Sequence, residues 1–315
     1  MSETIVQINN LVKRYGNLLA LDHFNLTIQE GEIFGLLGPN GSGKTTAINC
    51  LLSLLSYDKG TIQIFGKPML PDSYESKRNI GVIFQNVAVF EELTVFENIN
   101  YFCSLYIADK KKCREMTEEA IAFVGLEEFT RFYPKKLSGG LLRRLNIACG
   151  IAHKPRLIIM DEPTVAVDPQ SRNKILEGII KLNQQGSTII YTSHYMEEVE
   201  QICSRISIID NGRNVAIGTK EELKAMIGTG EKISIETLDI PEQTLQELRG
   251  LRHVVRTDYE NPKLRIYCEN GSNNLSRILH FLDGRGVAYS KVYSEAPSLN
   301  DVFLEITGKQ LRDTQ

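Results

Sequence analysis

Short apolar runs separated by glycine, asparagine and acidic turns fill the first third of the chain, and their alternation predicts strands. Ile5-Val-Gln-Ile8 and Leu26-Thr-Ile28 alternate, while Glu32 to Leu37 is a continuous run suited to a buried strand. Behind it Ile48, Leu51, Leu52 and Leu55 recur at helical spacing, and Thr61 to Phe65 and Ile80 to Phe84 read as further strands. From Glu92 to about His153, Glu, Lys, Ala and Leu prevail and strand formers are sparse, so this stretch reads as helical. Strand character returns in Leu157 to Met160. A helix bearing Ile175, Leu176, Ile179 and Ile180 follows, then the strand Ser187 to Tyr191 and a short helix with Met196, Val199 and Ile202. Two last strands, Arg205 to Ile209 and Arg213 to Ile217, are joined by an Asp210-Asn211-Gly212 turn. The pattern is an α/β core interrupted by a helical insert at about residues 86–155.

The pattern changes after Gly228-Thr229-Gly230, the expected linker, which divides a domain at 1–228 from one at 229–315. The second has strand 232–238, helix 242–249, strands 253–258 and 263–268, helix 274–284 and strand 287–293. Leu275, Ile278, Leu279 and Leu282 fall on one helix face. This β-α-β-β-α-β order predicts a small α+β, ferredoxin-like domain. A last helix, about Ser298 to Ile306, turns Leu299, Val302, Phe303 and Ile306 inward.

Length agrees with two domains, because 315 residues is about twice an ordinary domain. Apolar residues make up 42% of the chain, enough for two cores. The formal net charge of −3 lacks the basic stripe that nucleic acid selects, so no nucleic-acid partner is expected. The densest basic run, Lys110 to Arg114, reads as a solvated helix face. Six scattered cysteines form no Cys-x-x-Cys pair and suggest core positions, not a disulfide framework or zinc site. Neither a signal segment nor an apolar run long enough to span a bilayer is evident. A chain soluble when isolated, and cytosolic, is the expectation.

The chemistry concentrates in one loop. Gly38-Pro39-Asn40-Gly41-Ser42-Gly43-Lys44-Thr45 satisfies the Gly-x-x-x-x-Gly-Lys-[Ser/Thr] pattern, followed by Thr46 and set between strand and helix. The glycines let backbone N–H groups turn toward phosphate oxygens. Lys44 can reach the β- and γ-phosphates of ATP, and the Thr45 hydroxyl is a natural Mg2+ ligand. Four signals accompany it. The strand Leu157 to Met160 delivers Asp161 to a position suited to Mg2+, with Glu162 placed to orient or deprotonate a water. Ser138-Gly139-Gly140 opens a helix, which is either a second anion site or an ordinary helix start. Gln85 follows one strand, where it can touch metal or water, and His194 follows another, both past strand ends on the loop's side.

In this combination residues 4 to 227 resemble the ATP-binding-cassette (ABC) ATPases. The resemblance implies a P-loop NTPase fold, with a RecA-like core, a helical subdomain and antiparallel strands. It also implies that Tyr15 stacks on adenine and that Gln85 links the γ-phosphate and Mg2+ to a transmembrane partner. Ser138, Gly139 and Gly140 would serve the γ-phosphate held by an opposite subunit, Asp168 would lie at the dimer interface, and His194 would be the switch on the γ-phosphate. Two ATPs would be sandwiched between two cassettes, in a homodimer or with a second ABC ATPase, at the cytoplasmic face of a membrane. Two positions depart from the family pattern: Leu141 where Gln is usual, as in the exporter branch, and Ala166 where Gly is usual, which stiffens the D-loop. Ala296 to Gly308 is similar to the tail of ATPases that serve bacterial exporters of drugs, antibiotic peptides or sodium and pair with a separately encoded permease. The C-terminal domain is then either regulatory or a packing appendage. The competing readings are a soluble ABC-type ATPase acting on ribosomes or DNA, whose tandem cassettes, coiled-coil inserts or zinc motifs are not seen, and an interaction protein that ATP merely dimerises.

Overall fold

The computed structural model describes residues 3–227, 230–269 and 274–308. It divides into two compact units with a boundary between Thr219 and Lys220. That lies ahead of the expected linker, of which Gly228 and Thr229 fall outside the described residues.

The first unit opens with a long hairpin, β1 (Thr4–Tyr15) and β2 (Leu18–Gln29). Both strands run well beyond the short alternating stretches legible in the sequence. Register shifts on either side of Leu11 break the two-residue period, so Leu11, Val12 and Lys13 are buried in succession. Next come β3 (Ile33–Leu37), α1 (Lys44–Leu51), β4 (Lys59–Ile64) and β5 (Lys67–Pro68). Helix α1 stops short of Leu55 because Ser53 takes a positive φ of 55°. Then follow α2 (Tyr74–Lys77), β6 (Ile80–Ile83), α3 (Val95–Ser104), α4 (Lys110–Val124) and α5 (Gly139–Ile151). The unit ends with β7 (Leu157–Asp161), α6 (Pro169–Gln184), β8 (Thr188–Ser193), α7 (Met196–Ile202), β9 (Arg205–Asp210) and β10 (Arg213–Gly218).

Two sheets result. An antiparallel one has the order β2-β1-β4-β5, and a six-stranded one the order β10-β9-β3-β8-β7-β6. The latter is parallel except for the β9–β10 hairpin. Every residue of β3, β7 and β8 is buried, which is why these strands read as unbroken runs.

The helical insert is cut into pieces by caps. Thr94 and Glu97 form a capping box on α3, Asp109 caps α4, left-handed Gly125 ends it, and Ser138 caps α5. The three helices share a core of their own around Val95, Ile99, Met116, Ile121 and Leu145. Lys110, Lys111, Lys112 and Arg114 are exposed along α4, with Arg114 paired to Glu118 one turn on. All six cysteines are free and buried.

The second unit contains α8 (Lys220–Ala225), β11 (Glu231–Glu236), α9 (Glu242–Arg249), β12 (Val254–Glu260), β13 (Lys263–Cys268), α10 (Asn274–Gly284), β14 (Val292–Glu295) and α11 (Leu299–Thr307). The sheet order β12-β13-β11-β14, with every neighbouring pair antiparallel, is that of the ferredoxin-like fold. Leu245 and Leu248 of α9 and Ile278 and Leu282 of α10 cover Ile233, Ile235, Leu264 and Ile266. The last strand begins later than its apolar start suggests: Val287 is buried in the core, but pairing with β11 runs from Val292 to Glu295.

Candidate functional site

Strand β3 ends at Leu37 and α1 begins at Lys44, so the glycine loop spans one strand end and one helix N-terminus. Two glycines are required by space and dihedral. A Cβ on Gly38 would lie 2.3 Å from the Ile209 carbonyl oxygen, and Gly43 adopts φ 110° against the Ala20 carbonyl. Lys44 is 4% exposed. Its ammonium donates to the carbonyls of Gly38 (2.7 Å) and Pro39 (3.2 Å) and lies 3.3 Å from Glu162 Oε1. The Ser42 hydroxyl is buried in the same loop with no hydrogen-bond partner among the described residues, a donor suited to a ligand.

Neighbouring strands bring the acidic groups. Asp161, the last residue of β7, accepts from Thr45 Oγ1 at 2.9 Å and from Thr192 Oγ1 at 2.6 Å. Thr192 Oγ1 in turn accepts the Glu162 N–H at 2.9 Å. Glu162 takes a positive φ of 49°, a conformation that costs about 1 kcal/mol for a residue with a Cβ and turns its carboxylate back over the loop. There Glu162 Oε2 lies 3.3 Å from His194 Nδ1 and 3.5 Å from Gln85 Nε2. Burial pushes the Glu162 carboxyl up, but the His194 hydrogen bond and the Lys44 charge outweigh it and hold it below the usual carboxylate range. Burial also depresses the Lys44 ammonium, against the raising effect of Glu162. The pair stands between mutual pairing and a ligand.

Of these residues, Lys44 and Glu162 line one end of a cleft of about 530 Å3. Asn40, Gly41, Gly43, Thr45, Thr46 and Gln85 contribute to its wall, and Tyr15, 47% exposed, stands at the other end beside Leu18 and Ala20. The Lys13 ammonium sits 5.2 Å from the Tyr15 ring. A phosphate tail at the loop with a planar base at Tyr15 matches this polar-to-apolar gradient. The oxygen donors of Thr45, Asp161 and Gln85 are of the hard type that Mg2+ takes alongside phosphates and water.

Ser138, Gly139 and Gly140 do not line this cleft. Ser138 caps α5, accepting the Leu141 N–H at 3.3 Å, and a Cβ on Gly140 would meet Ser171 Oγ at 2.4 Å and Asp168 Oδ2 at 3.2 Å. Asp168 caps α6 through the Ser171 N–H at 2.9 Å. The structure thus gathers Lys44, Thr45, Gln85, Asp161, Glu162 and His194 in one place, and Ser138 to Gly140 with Asp168 in another.

Ala166 takes φ 59°, so the position where glycine was expected is left-handed. Ala166→Gly should therefore stabilise the protein by about 0.5–1 kcal/mol, relief of strain being partly offset by the freer unfolded chain. A urea midpoint raised at unchanged slope is the expected reading, and a lowered midpoint would contradict it.

Sequence reasoning missed Thr192, which ties Asp161 to the Glu162 backbone from the neighbouring strand. It also missed Arg143 and Asn146 on α5. Both donate to the Phe84 carbonyl (3.1 and 3.4 Å), and Asn146 accepts the Ala88 N–H at 3.1 Å, holding the segment around Gln85.

Known proteins resemble this chain in sequence and in fold. Residues 21–165 match the ABC transporter family and residues 218–307 the DrrA1-3-like ATP-binding protein C-terminal domain. The linearmycin resistance ATP-binding protein LnrL of Bacillus subtilis is 37% identical across 98% of this chain and 100% of its own length. The daunorubicin resistance ATP-binding protein DrrA3 of Streptomyces coeruleorubidus is 32% identical over 99% and 98%. The Nod factor export ATP-binding protein I of Cupriavidus metallidurans is 33% identical over 98% and 99%. Among solved structures, the dimeric post-hydrolysis state of the ATP-binding cassette MJ0796 bound to ADP and Pi aligns with a TM-score of 0.63 at 28% identity. It covers 68% of this chain and 98% of that one. Two matched domains in order and relatives similar along the whole of their length make this chain a member of the ABC transporter family, an ATP-hydrolysing subunit of its drug-resistance and export branch.

Proposed function

We propose that this chain hydrolyses ATP between two cassettes and so drives export through a separate permease. The observation that carries the reading is the single cluster of Lys44, Thr45, Asp161, Glu162 and His194 at the ends of β3, β7 and β8. In it Lys44 and the loop N–H groups bind the phosphates, and Tyr15 carries the base. Glu162 orients and deprotonates the attacking water, and His194 holds the γ-phosphate and the Glu162 carboxylate in register. Thr45, Asp161 and Gln85 would hold Mg2+, which neutralises phosphate charge when bound. Lys44 now shares its charge with Glu162; a γ-phosphate takes that charge over and releases Glu162 toward water.

Ser138 to Gly140, apart from the cluster and beside Asp168, suit the phosphates of a second cassette, whether another copy or a different ABC ATPase. Among the described residues no helix is long and apolar enough to cross a membrane; in this reading the path for cargo is the permease's. An apolar groove of about 330 Å3 adjoins Phe84, immediately before Gln85, and is lined by Val82, Phe102, Tyr106 and Leu54. It suits an apolar cytoplasmic segment of the permease, which would place the subunit on the cytoplasmic face of the membrane. The named relatives serve resistance to linearmycin and daunorubicin and export of Nod factor, which supports outward transport over work on ribosomes or DNA.

The test is recovery from cells. The parent chain should co-purify with a membrane-spanning subunit, and a Leu54→Arg, Tyr106→Glu variant should lose that partner while still binding ATP. Recovery of only ribosomes or DNA with the parent chain would overturn the export reading.

A further inference from the structure

Glu198, on α7, is a carboxylate only 3% exposed, and nothing in the proposed chemistry uses it. Its surroundings are unusual. One oxygen, Oε2, accepts three hydroxyls: Tyr191 at 2.7 Å, Thr164 at 2.8 Å and Ser193 at 3.1 Å. The other, Oε1, lies 3.3 Å from Arg172 Nε on α6. All three hydroxyl-bearing residues are buried. Burying a carboxylate is unfavourable unless it is fully paired, and an apolar side chain would fill the same space without that penalty.

The partners explain what the charge achieves. Thr164 is two residues past Glu162, and Ser193 immediately precedes His194. Ser193 Oγ also accepts the Tyr195 N–H at 2.9 Å, and the Arg172 guanidinium lies 4.8 Å from the centre of the Tyr195 ring. The Ser193 and Thr164 hydroxyls that flank His194 and Glu162 thus meet at one oxygen atom, and the Tyr195 N–H is tied to it through Ser193 Oγ.

We propose that Glu198 is a positioning residue for hydrolysis, holding the Glu162 and His194 segments at the spacing their 3.3 Å contact requires. The inference rests on the proposed roles of Glu162 and His194. Glu198 acts through the Glu162 and His194 segments and is not among the residues that line the cleft.

The experiment is single-turnover ATP hydrolysis by the full chain in a double-mutant cycle of Glu198→Gln with His194→Ala. Glutamine keeps an acceptor oxygen but removes the charge facing Arg172. Alone it should lower the rate about tenfold with ATP affinity held within about twofold, because a small misplacement of reacting groups costs rate before binding. With His194 already replaced, it should cost less than about twofold more, as expected for residues acting as a unit. An equal fractional loss in both backgrounds, or a loss of ATP affinity that parallels the rate, would overturn the proposal. Should Glu198→Gln not fold, Ser193→Ala, which deletes a single hydroxyl, runs the same cycle. Full hydrolysis by Glu162→Gln or by His194→Ala alone would instead overturn the underlying site reading.

Discussion

Glu162→Gln is expected to cut steady-state ATP hydrolysis by about 100-fold or more, the contribution of a positioned general base, while ATP still binds. Glutamine fills the same space and can still hydrogen bond to His194 and Gln85, but it cannot take a proton from water. It also removes the negative charge opposite Lys44, which competes with phosphate for that ammonium. ATP affinity should therefore hold or rise as turnover collapses. With the nucleotide no longer consumed, two-cassette complexes should accumulate in ATP and dissolve when ATP is withdrawn. Phosphate release and size-exclusion chromatography read the two effects separately. A variant that hydrolyses ATP at the parent rate would remove Glu162 from the role of base.

Lys44→Ala should fail one step earlier, with ATP affinity lowered by about 100-fold or more, because a buried charged donor to the phosphates is lost. A second consequence follows from the same contact. Among the groups that hold the Glu162 carboxyl down, His194 would remain and Lys44 would not, so that carboxyl should titrate at higher pH than in the parent. Calorimetric ATP titration checks the affinity, and carboxyl-labelled NMR of Glu162 checks the titration. ATP affinity within a few-fold of the parent would place the phosphates elsewhere.

The glycine loop was legible because its constraints are local. Gly38 must clear the Ile209 carbonyl and Gly43 must turn left-handed, and no other side chain tolerates both demands. Strands β3, β7 and β8 were legible for a different reason, since burial on both faces writes an apolar run into the sequence. The β1–β2 hairpin was read only in part, because its bulges destroy the alternation on which a strand is recognised. Thr192 and Glu198 escaped notice because their partners are distant in sequence: Thr192 meets Asp161 across 31 residues, and Glu198 meets Thr164 across 34. Polar groups of this kind acquire meaning only when strands become neighbours. The positive φ of Ala166 and Glu162 was invisible for a related reason, since neither residue type favours that conformation by itself.

Helix α5 begins at the Ser138 cap and, two turns on, grips the Phe84 carbonyl with Arg143 and Asn146. The helix therefore joins the two places as one rod. Phe84 cannot shift without either breaking both hydrogen bonds or carrying the rod, and with it the Ser138 tip, along the same line. A push delivered beside Gln85 and a pull felt at Ser138 are then one displacement measured at two ends.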